Sequence, residues 1–301
     1  MKIWEDIGQV HPAEPTAVAL GAFDGLHRGH KKVIEAAQLS GSGASAVFTF
    51  TENPHGGGLL LQPEEKERLL ADWGIRHLFR IPFASVRQME PEEFLKEILL
   101  KRCRAAALSC GEDFRFGRGA GGDVQLLRSF GEKHGMKTFV LPEIDDGGGR
   151  VSSTRIRTAV EEGDIRLANR LLGRRFGYAM PVIKGNQIGR TLGTPTINQL
   201  MPPGFVIPRF AIYASWVEVN GRRYEGVTNI GVKPTVGSDT VLSETWIRDF
   251  SGDLYGQSVR VELVDFIRPE VKFDTLEELR QAILDDAEKA QALLSGAVGK
   301  G

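Results

Sequence analysis

Hydrophobic and polar positions follow two different rhythms along this chain, and the change falls near residue 173. In the first part, short apolar runs at 17–20, 46–50, 78–81, 105–109 and 138–141 have the length and composition of strands. The stretches between them, at 31–39, 64–73, 91–101 and 124–134, place apolar residues three and four apart and are predicted as helices. In the first of these, Val33, Ala36 and Ala37 form the apolar face. Regular alternation of strand and helix predicts a doubly wound parallel sheet with helices on both faces. After the loop Gly147-Gly148-Gly149, Ser152 and Ser153 offer N-caps for a helix from about 154 to 162. Asp164 caps a second helix over 165–172, with Gly173 as the residue that ends it.

Beyond residue 173 the runs at 178–183, 211–219, 223–229, 241–247 and 258–266 are strand-like. Clusters of Gly, Pro, Asn and Asp separate them. Asn220-Gly221 between two such runs is a hairpin signal. The last periodic stretch, 275–294, is one helix or two. This part is predicted as a small antiparallel β-barrel closed by C-terminal helix. A length of 301 residues suits two domains, 1–173 and 174–301.

Composition narrows the function classes. Hydrophobic residues make up 41% and charged residues 26%, values ordinary for a globular protein that buries a core without staples. With 38 basic and 39 acidic residues the net charge is −1, so no broad field points to nucleic acid or to an anionic membrane. Cys103 and Cys110 belong to no CxxC pair or Cys/His cluster, which removes zinc and redox motifs and fits a reducing compartment. The N-terminus lacks the apolar core of a signal peptide, and no stretch approaches the roughly 20 apolar residues of a membrane span. A cytoplasmic location follows as the expectation.

The chemistry concentrates in two places. Gly21-Ala22-Phe23-Asp24-Gly25-Leu26-His27-Arg28-Gly29-His30 follows a predicted strand and opens a predicted helix. A helix N-terminus presents unpaired N–H groups and the positive end of its dipole, which suits phosphate. Gly25 and Gly29 let the backbone turn and approach a ligand, and two histidines three apart can both donate to phosphoryl oxygens. Glu does not follow His27 and no third ligand is evident, so a zinc-protease reading fails. In Ser152-Ser153-Thr154-Arg155-Ile156-Arg157, Thr154 and Arg157 share one face at a helix start, where a hydroxyl and a guanidinium suit the outer phosphates of ATP. In the second part, Thr196 and Asn198 are two apart and fall on one face of an extended segment. Their oxygens are hard ligands suited to Mg²⁺ alongside ATP. Gly189 and Gly193 let backbone N–H groups face phosphates. Glu244 lies in a predicted strand.

These motifs carry a resemblance. Residues 21–30 resemble the (G)xFDGxHxGH motif of the nucleotidylyltransferase superfamily, and 152–157 its STxxR phosphate motif. Residues 49–55 (TFTENPH) and 111–117 (GEDFRFG) are similar to segments of the bacterial bifunctional riboflavin kinase/FAD synthetase family. Residues 189–198 (GRTLGTPTIN) resemble the GRxLGxPTxN motif of riboflavin kinases, and Glu244 followed by DFSGDLYG at 249–256 resembles that family's strand-borne catalytic Glu. The resemblance runs from about residue 15 to 288.

It implies a transferase with two activities: riboflavin and ATP give FMN, then FMN and ATP give FAD with release of pyrophosphate. His27 and His30 are then catalytic, and Gly21, Phe23, Asp24, Gly25, Ser153, Thr154 and Arg157 join them around ATP. Pro54, His55, Gly111, Asp113, Phe114 and Phe116 take the flavin in the adenylylation step. There Gly111 permits close approach, the two phenylalanines pack an isoalloxazine ring and Asp113 accepts hydrogen bonds. Gly189, Gly193 and Thr196 hold the kinase ATP, Thr196 and Asn198 the Mg²⁺, and Glu244 receives the proton of the attacking hydroxyl and contacts the flavin substrate. The implied partners are riboflavin, FMN, FAD and ATP, with no nucleic acid and no membrane. Gly56 stands where the family carries Pro, Thr194 where Phe is common, and Ala211-Ile212-Tyr213 where Gly-Val-Tyr is common. An alternative keeps FAD synthesis with a weakened or lost kinase. A flavin-binding regulatory module is a third reading, against which the retained His27, His30, Arg157, Thr196, Asn198 and Glu244 weigh.

Overall fold

The computed structural model describes residues 1–53, 56–185, 194–235 and 238–297. The chain divides into two compact units, Met1–Ser153 and Thr154–Gly301.

The first unit is built on a six-stranded sheet of β1 (Lys2–Trp4), β2 (Thr16–Leu20), β3 (Ala44–Phe50), β4 (His77–Ile81), β5 (Ala105–Gly111) and β6 (Lys137–Leu141). The order is β1-β4-β3-β2-β5-β6, and every pairing is parallel. Helices α1 (Arg28–Leu39), α2 (Pro63–Asp72), α3 (Pro91–Glu93, continuing as a π-helix over Phe94–Arg102) and α4 (Val124–Lys133) link the strands. Two apolar clusters form in this unit, one around Phe48, Phe79, Leu95 and Leu108, the other around Phe23, Ile34, Leu70 and Leu78. This is the expected doubly wound architecture. Only β1 escaped the hydrophobic pattern: it is three residues long and adds to the edge of the sheet through β4.

The order of strands matters for chemistry. From β2 the chain builds outward through β3 and β4, then returns to place β5 on the other side of β2. In a parallel sheet, such a reversal opens a crevice at the carboxyl ends of the two strands, where ligands bind.

In the second unit, α5 (Ser153–Glu162) and α6 (Ile165–Leu172) precede a closed barrel of β7 (Phe176–Ile183), β8 (Thr196–Leu200), β9 (Ala211–Val219), β10 (Arg222–Thr235), β11 (Ser238–Ile247) and β12 (Ser258–Pro269). The barrel order is β10-β11-β8-β7-β12-β9, and its pairings are antiparallel. A single helix, α7 (Leu276–Ala297), packs on it through Ala290 and Leu294 against Ala214 and Val264. Asp164 caps α6 by accepting from the Leu167 N–H at 2.9 Å, and Gly173 ends it with φ 72°. Asn220 and Gly221 both take positive φ in the β9–β10 turn, as a two-residue hairpin requires.

Strand β8 is the element that hydrophobic alternation misses. Its sequence, TINQL, is polar because amides do structural work there. Gln199 is buried and its Nε2 donates to the carbonyls of Met180 and Val259, both at 2.7 Å. Those bonds tie strands together where β7 and β8 share only two register pairs. Hydroxyls likewise fill the barrel interior: Tyr178 with Ser243 at 2.7 Å, Ser215 with Thr228 at 2.7 Å, and Thr228 with Thr245 at 2.9 Å.

Candidate active sites

Residues 21–27 leave the carboxyl end of β2 and enter α1. Phe23, Gly25 and Leu26 have φ of 51°, 80° and 44°. Left-handed backbone costs a side-chain-bearing residue roughly 1–2 kcal/mol. Phe23 and Leu26 are both buried in the core, and each such side chain contributes about 1.5–3 kcal/mol, enough to hold the strained turn. Hydrogen bonds pin the rest. Thr49 Oγ1 donates to the Ala22 carbonyl at 2.6 Å, the Leu60 N–H to Asp24 Oδ1 at 3.0 Å, and Ser153 Oγ to the Asp24 carbonyl at 2.8 Å.

His27 is the N-cap of α1. Its Nδ1 accepts from the His30 N–H at 3.3 Å. An imidazole nitrogen that accepts keeps its lone pair, so in the neutral ring the proton lies on Nε2, a donor. The two imidazoles stack with centroids 3.6 Å apart, and Phe23 meets the edge of His30 at 5.1 Å. Gly29 lies close under this stack, since a Cβ there would stand 3.1 Å from the His27 ring. The structure therefore brings Gly21, Phe23, Asp24, Gly25, His27 and His30 into one turn at a helix N-terminus.

The second expected segment follows the carboxyl end of β5, the strand paired with β2. Phe114 and Phe116 stack at 5.7 Å. Phe116 is buried and packs on Phe94, whereas Phe114 is half-buried. A Cβ on Gly111 would lie 3.0 Å from Asp113 Oδ1. Asp113 pairs with Arg150, which also reaches Glu143 at 2.5 Å. Burial opposes the Arg150 charge, but the Asp113 and Glu143 carboxylates outweigh it and hold its pKa above the ordinary range. Arg150 was not singled out from sequence; an arginine beside three glycines gives no pattern to find. Pro54 and His55 lie outside the described residues.

Lys66 is the other missed group, and its signal was present. It sits on α2 in line with the buried Leu69 and Leu70, so a charge falls on an apolar face. Lys66 is 8% exposed and its Nζ donates to the Ala22 carbonyl at 3.3 Å. Burial lowers its pKa to about 8, against the favourable charge of Asp24 and with the repulsion of Arg80. The unfolded chain has the ordinary value of 10.5, so between these two values it binds more protons than the native state. Stability from this group is therefore present above pH 10.5 and lost as pH falls through about 8. Relative to Lys66→Met, the wild-type protein is expected to gain up to about 3 kcal/mol between pH 7.5 and 10.5. Urea unfolding of both proteins at the two pH values measures this; a difference that stays constant with pH would show that Lys66 does not titrate in the window.

In the barrel unit the register places Glu244 on β11 directly opposite Asn198 on β8, and Asn198 opposite Ile183 on β7. Thr196 is two residues along β8, on the same face as Asn198. Asn198 is 6% exposed and Glu244 half-buried. The Asn198 Oδ1 and the Thr194 Oγ1 are buried with no hydrogen-bond partner among the described residues. Gly185 packs against this amide, where a Cβ would meet it at 2.6 Å. Buried oxygens without partners beside a cradle only glycine leaves open fit a hard cation. Gly189 and Gly193 lie outside the described residues.

Comparison with known proteins matches two family models to the chain. An FAD synthetase family model matches residues 10–155, and a riboflavin kinase family model matches residues 172–294. The bifunctional riboflavin kinase/FMN adenylyltransferase of Escherichia coli (strain K12) is 34% identical over 289 residues, covering 91% of each chain. That of Pseudomonas fluorescens is 33% identical over 310 residues, covering 97% of this chain and 98% of its own. That of Bacillus subtilis (strain 168) is 31% identical over 290 residues, with 91% of each chain covered. A crystal structure described as a macrolide-efflux protein from Streptococcus pneumoniae superposes with a TM-score of 0.88 at 27% identity, over 96% of this chain and 98% of that one. Among the described residues of the present chain, no helix is long and apolar enough to cross a membrane.

Proposed function

Because this chain belongs to the bifunctional riboflavin kinase/FMN adenylyltransferase family, we propose that its two reactions are carried by residues 1–173 for adenylylation and 174–301 for phosphorylation. The chain is a transferase that converts riboflavin to FMN and FMN to FAD, using ATP in both steps with a divalent metal. The observation supporting the adenylylation site is that residues 21–27 and 111–117 leave the carboxyl ends of the adjacent strands β2 and β5.

In the adenylylation step, an oxygen of the FMN phosphate attacks the α-phosphorus of ATP and the bond to pyrophosphate breaks. No covalent enzyme intermediate is needed, so positioning and charge stabilisation carry the catalysis. The His27 Nε2–H and His30 donate to the phosphoryl oxygens as charge grows on them, with the N–H groups of α1 behind them. Thr154 and Arg157 take the outer phosphates. Phe114 stacks on the flavin, supported by Phe116, and Asp113 and Arg150 border that ring.

In the kinase step, the 5′-hydroxyl oxygen of the ribityl chain attacks the γ-phosphorus and ADP leaves. Glu244 accepts the proton. Carboxylates are weak bases toward an alcohol, so the larger contribution of this side chain is to orient the hydroxyl. Asn198 and Thr196 would hold Mg²⁺, which neutralises phosphate charge when bound. A cytoplasmic location fits two buried, unpaired thiols, Cys103 and Cys110.

Incubation with riboflavin, ATP and Mg²⁺, followed by separation of the flavins, tests the whole reading. FMN and FAD are both expected. Absence of FMN removes the kinase assignment, and FMN without FAD removes the synthetase assignment.

A further inference from the structure

Glu244 is flanked by an amide on each neighbouring strand. The register sets it opposite Asn198 on β8 and opposite Asn229 on β10. The three residues lie on the outer face of the barrel wall, alternating with Ser243, Thr245 and Thr228, which are fully buried. The Asn229 Oδ1, like that of Asn198, is buried without a hydrogen-bond partner among the described residues. A buried amide oxygen left unsatisfied is costly, and folded proteins keep few of them. Two such oxygens on either side of one carboxylate point to a surface built to meet a ligand. The cation proposed above would account for Asn198; nothing so far accounts for Asn229.

We propose that Asn229 positions the substrate of the kinase reaction, its Oδ1 accepting a hydrogen bond from a second hydroxyl of the polyol chain whose terminal hydroxyl meets Glu244. This rests on the reading of Glu244 given above. The chemistry of the pair selects the ligand class. A carboxylate and an amide oxygen side by side are both acceptors, so they repel phosphate oxygens and favour groups that donate, which hydroxyls do. Directly opposed side chains on adjacent strands have Cβ atoms about 4.5–5.5 Å apart, a span that hydroxyls on nearby carbons of one sugar-alcohol chain can bridge.

The test uses Asn229→Leu in the full-length protein. Leucine keeps the approximate volume and removes the unsatisfied amide, so a purely structural role predicts unchanged or higher stability and unchanged kinetics. The proposal predicts that the KM for riboflavin rises about tenfold, the effect of one lost hydrogen bond. The KM for ATP, the conversion of FMN to FAD and the melting temperature should stay as in the wild type, and kcat for FMN formation should fall less than threefold. A flavin carrying an unbranched ω-hydroxypentyl chain, which has only the terminal hydroxyl, should bind the wild type less well than riboflavin and suffer no further loss in the variant. An unchanged riboflavin KM, or an equal penalty on both flavins, overturns the proposal. Should Asn229→Leu fold poorly, Asn229→Ala is read by the same comparison of the two flavins. Failure of the underlying reading looks different: Glu244→Gln would then form FMN at the wild-type rate.

Discussion

Replacing His30 by alanine is expected to abolish FAD formation from FMN while leaving FMN formation from riboflavin intact. His30 lies in the first turn of α1, where its backbone N–H donates to His27 Nδ1 and its ring stacks on His27 at 3.6 Å. Alanine deletes the donor proposed above to meet the phosphoryl oxygens and one face of that stack together. Loss of a single donor to a developing oxyanion costs about 10²–10³ in kcat. Because the His27 ring loses its support as well, a fall of at least about 10³ is expected. The fold should survive, since alanine favours helix and the buried Val33, Ile34 and Ala37 of α1 are untouched. Separate assays of the two half-reactions on the purified variant, with circular dichroism to confirm folding, provide the measurement. A folded variant that still makes FAD within tenfold of wild type would exclude His30 from the reaction.

Glu244→Gln is expected to do the opposite. Glutamine keeps the size of the side chain and its place in β11 opposite Asn198 and Asn229, but it removes the carboxylate proposed above to accept the proton. General-base assistance contributes typically 10²–10⁴, and the orienting hydrogen bond is weakened too, so FMN formation should drop by about 10²–10³. With FMN supplied, FAD formation should proceed at the wild-type rate. If either variant loses both activities while folded, the two-site description fails. Together the pair of variants separates the reactions by residues on different folds, one at a helix N-terminus and one in a barrel wall.

The element types were largely legible in the sequence. Hydrophobic period alone predicts β2 to β6, the helices between them, and the change to strands after Gly173. The exceptions have physical causes. Strand β1 is too short to show a period and depends on β4 for its bonds. Strand β8 hides because the buried Asn198 and Gln199 occupy positions where a pattern reader expects apolar groups. The Gly/His pattern of 21–30 pointed to a turn suited to phosphate, but not to Phe23 and Leu26 holding it by burying their side chains from left-handed backbone. Lys66 was visible as a charge on an apolar helix face. Arg150 and Asn229 were not, because nothing local to either marks its partner.

By itself, then, the sequence determined which segments fold as strand or helix and which residue chemistries sit at their ends, since propensity, capping and period act over a few neighbours. The tertiary structure alone decided which ends meet. Pairing β2 with both β3 and β5 sets residues 21–27 beside 111–117, and the register of β10, β11 and β8 sets Asn229 and Asn198 on either side of Glu244. Those arrangements depend on hydrogen bonds between strands distant in the chain. Shifting one strand by a single residue would turn its side chains to the opposite face and dismantle the site without changing any local preference.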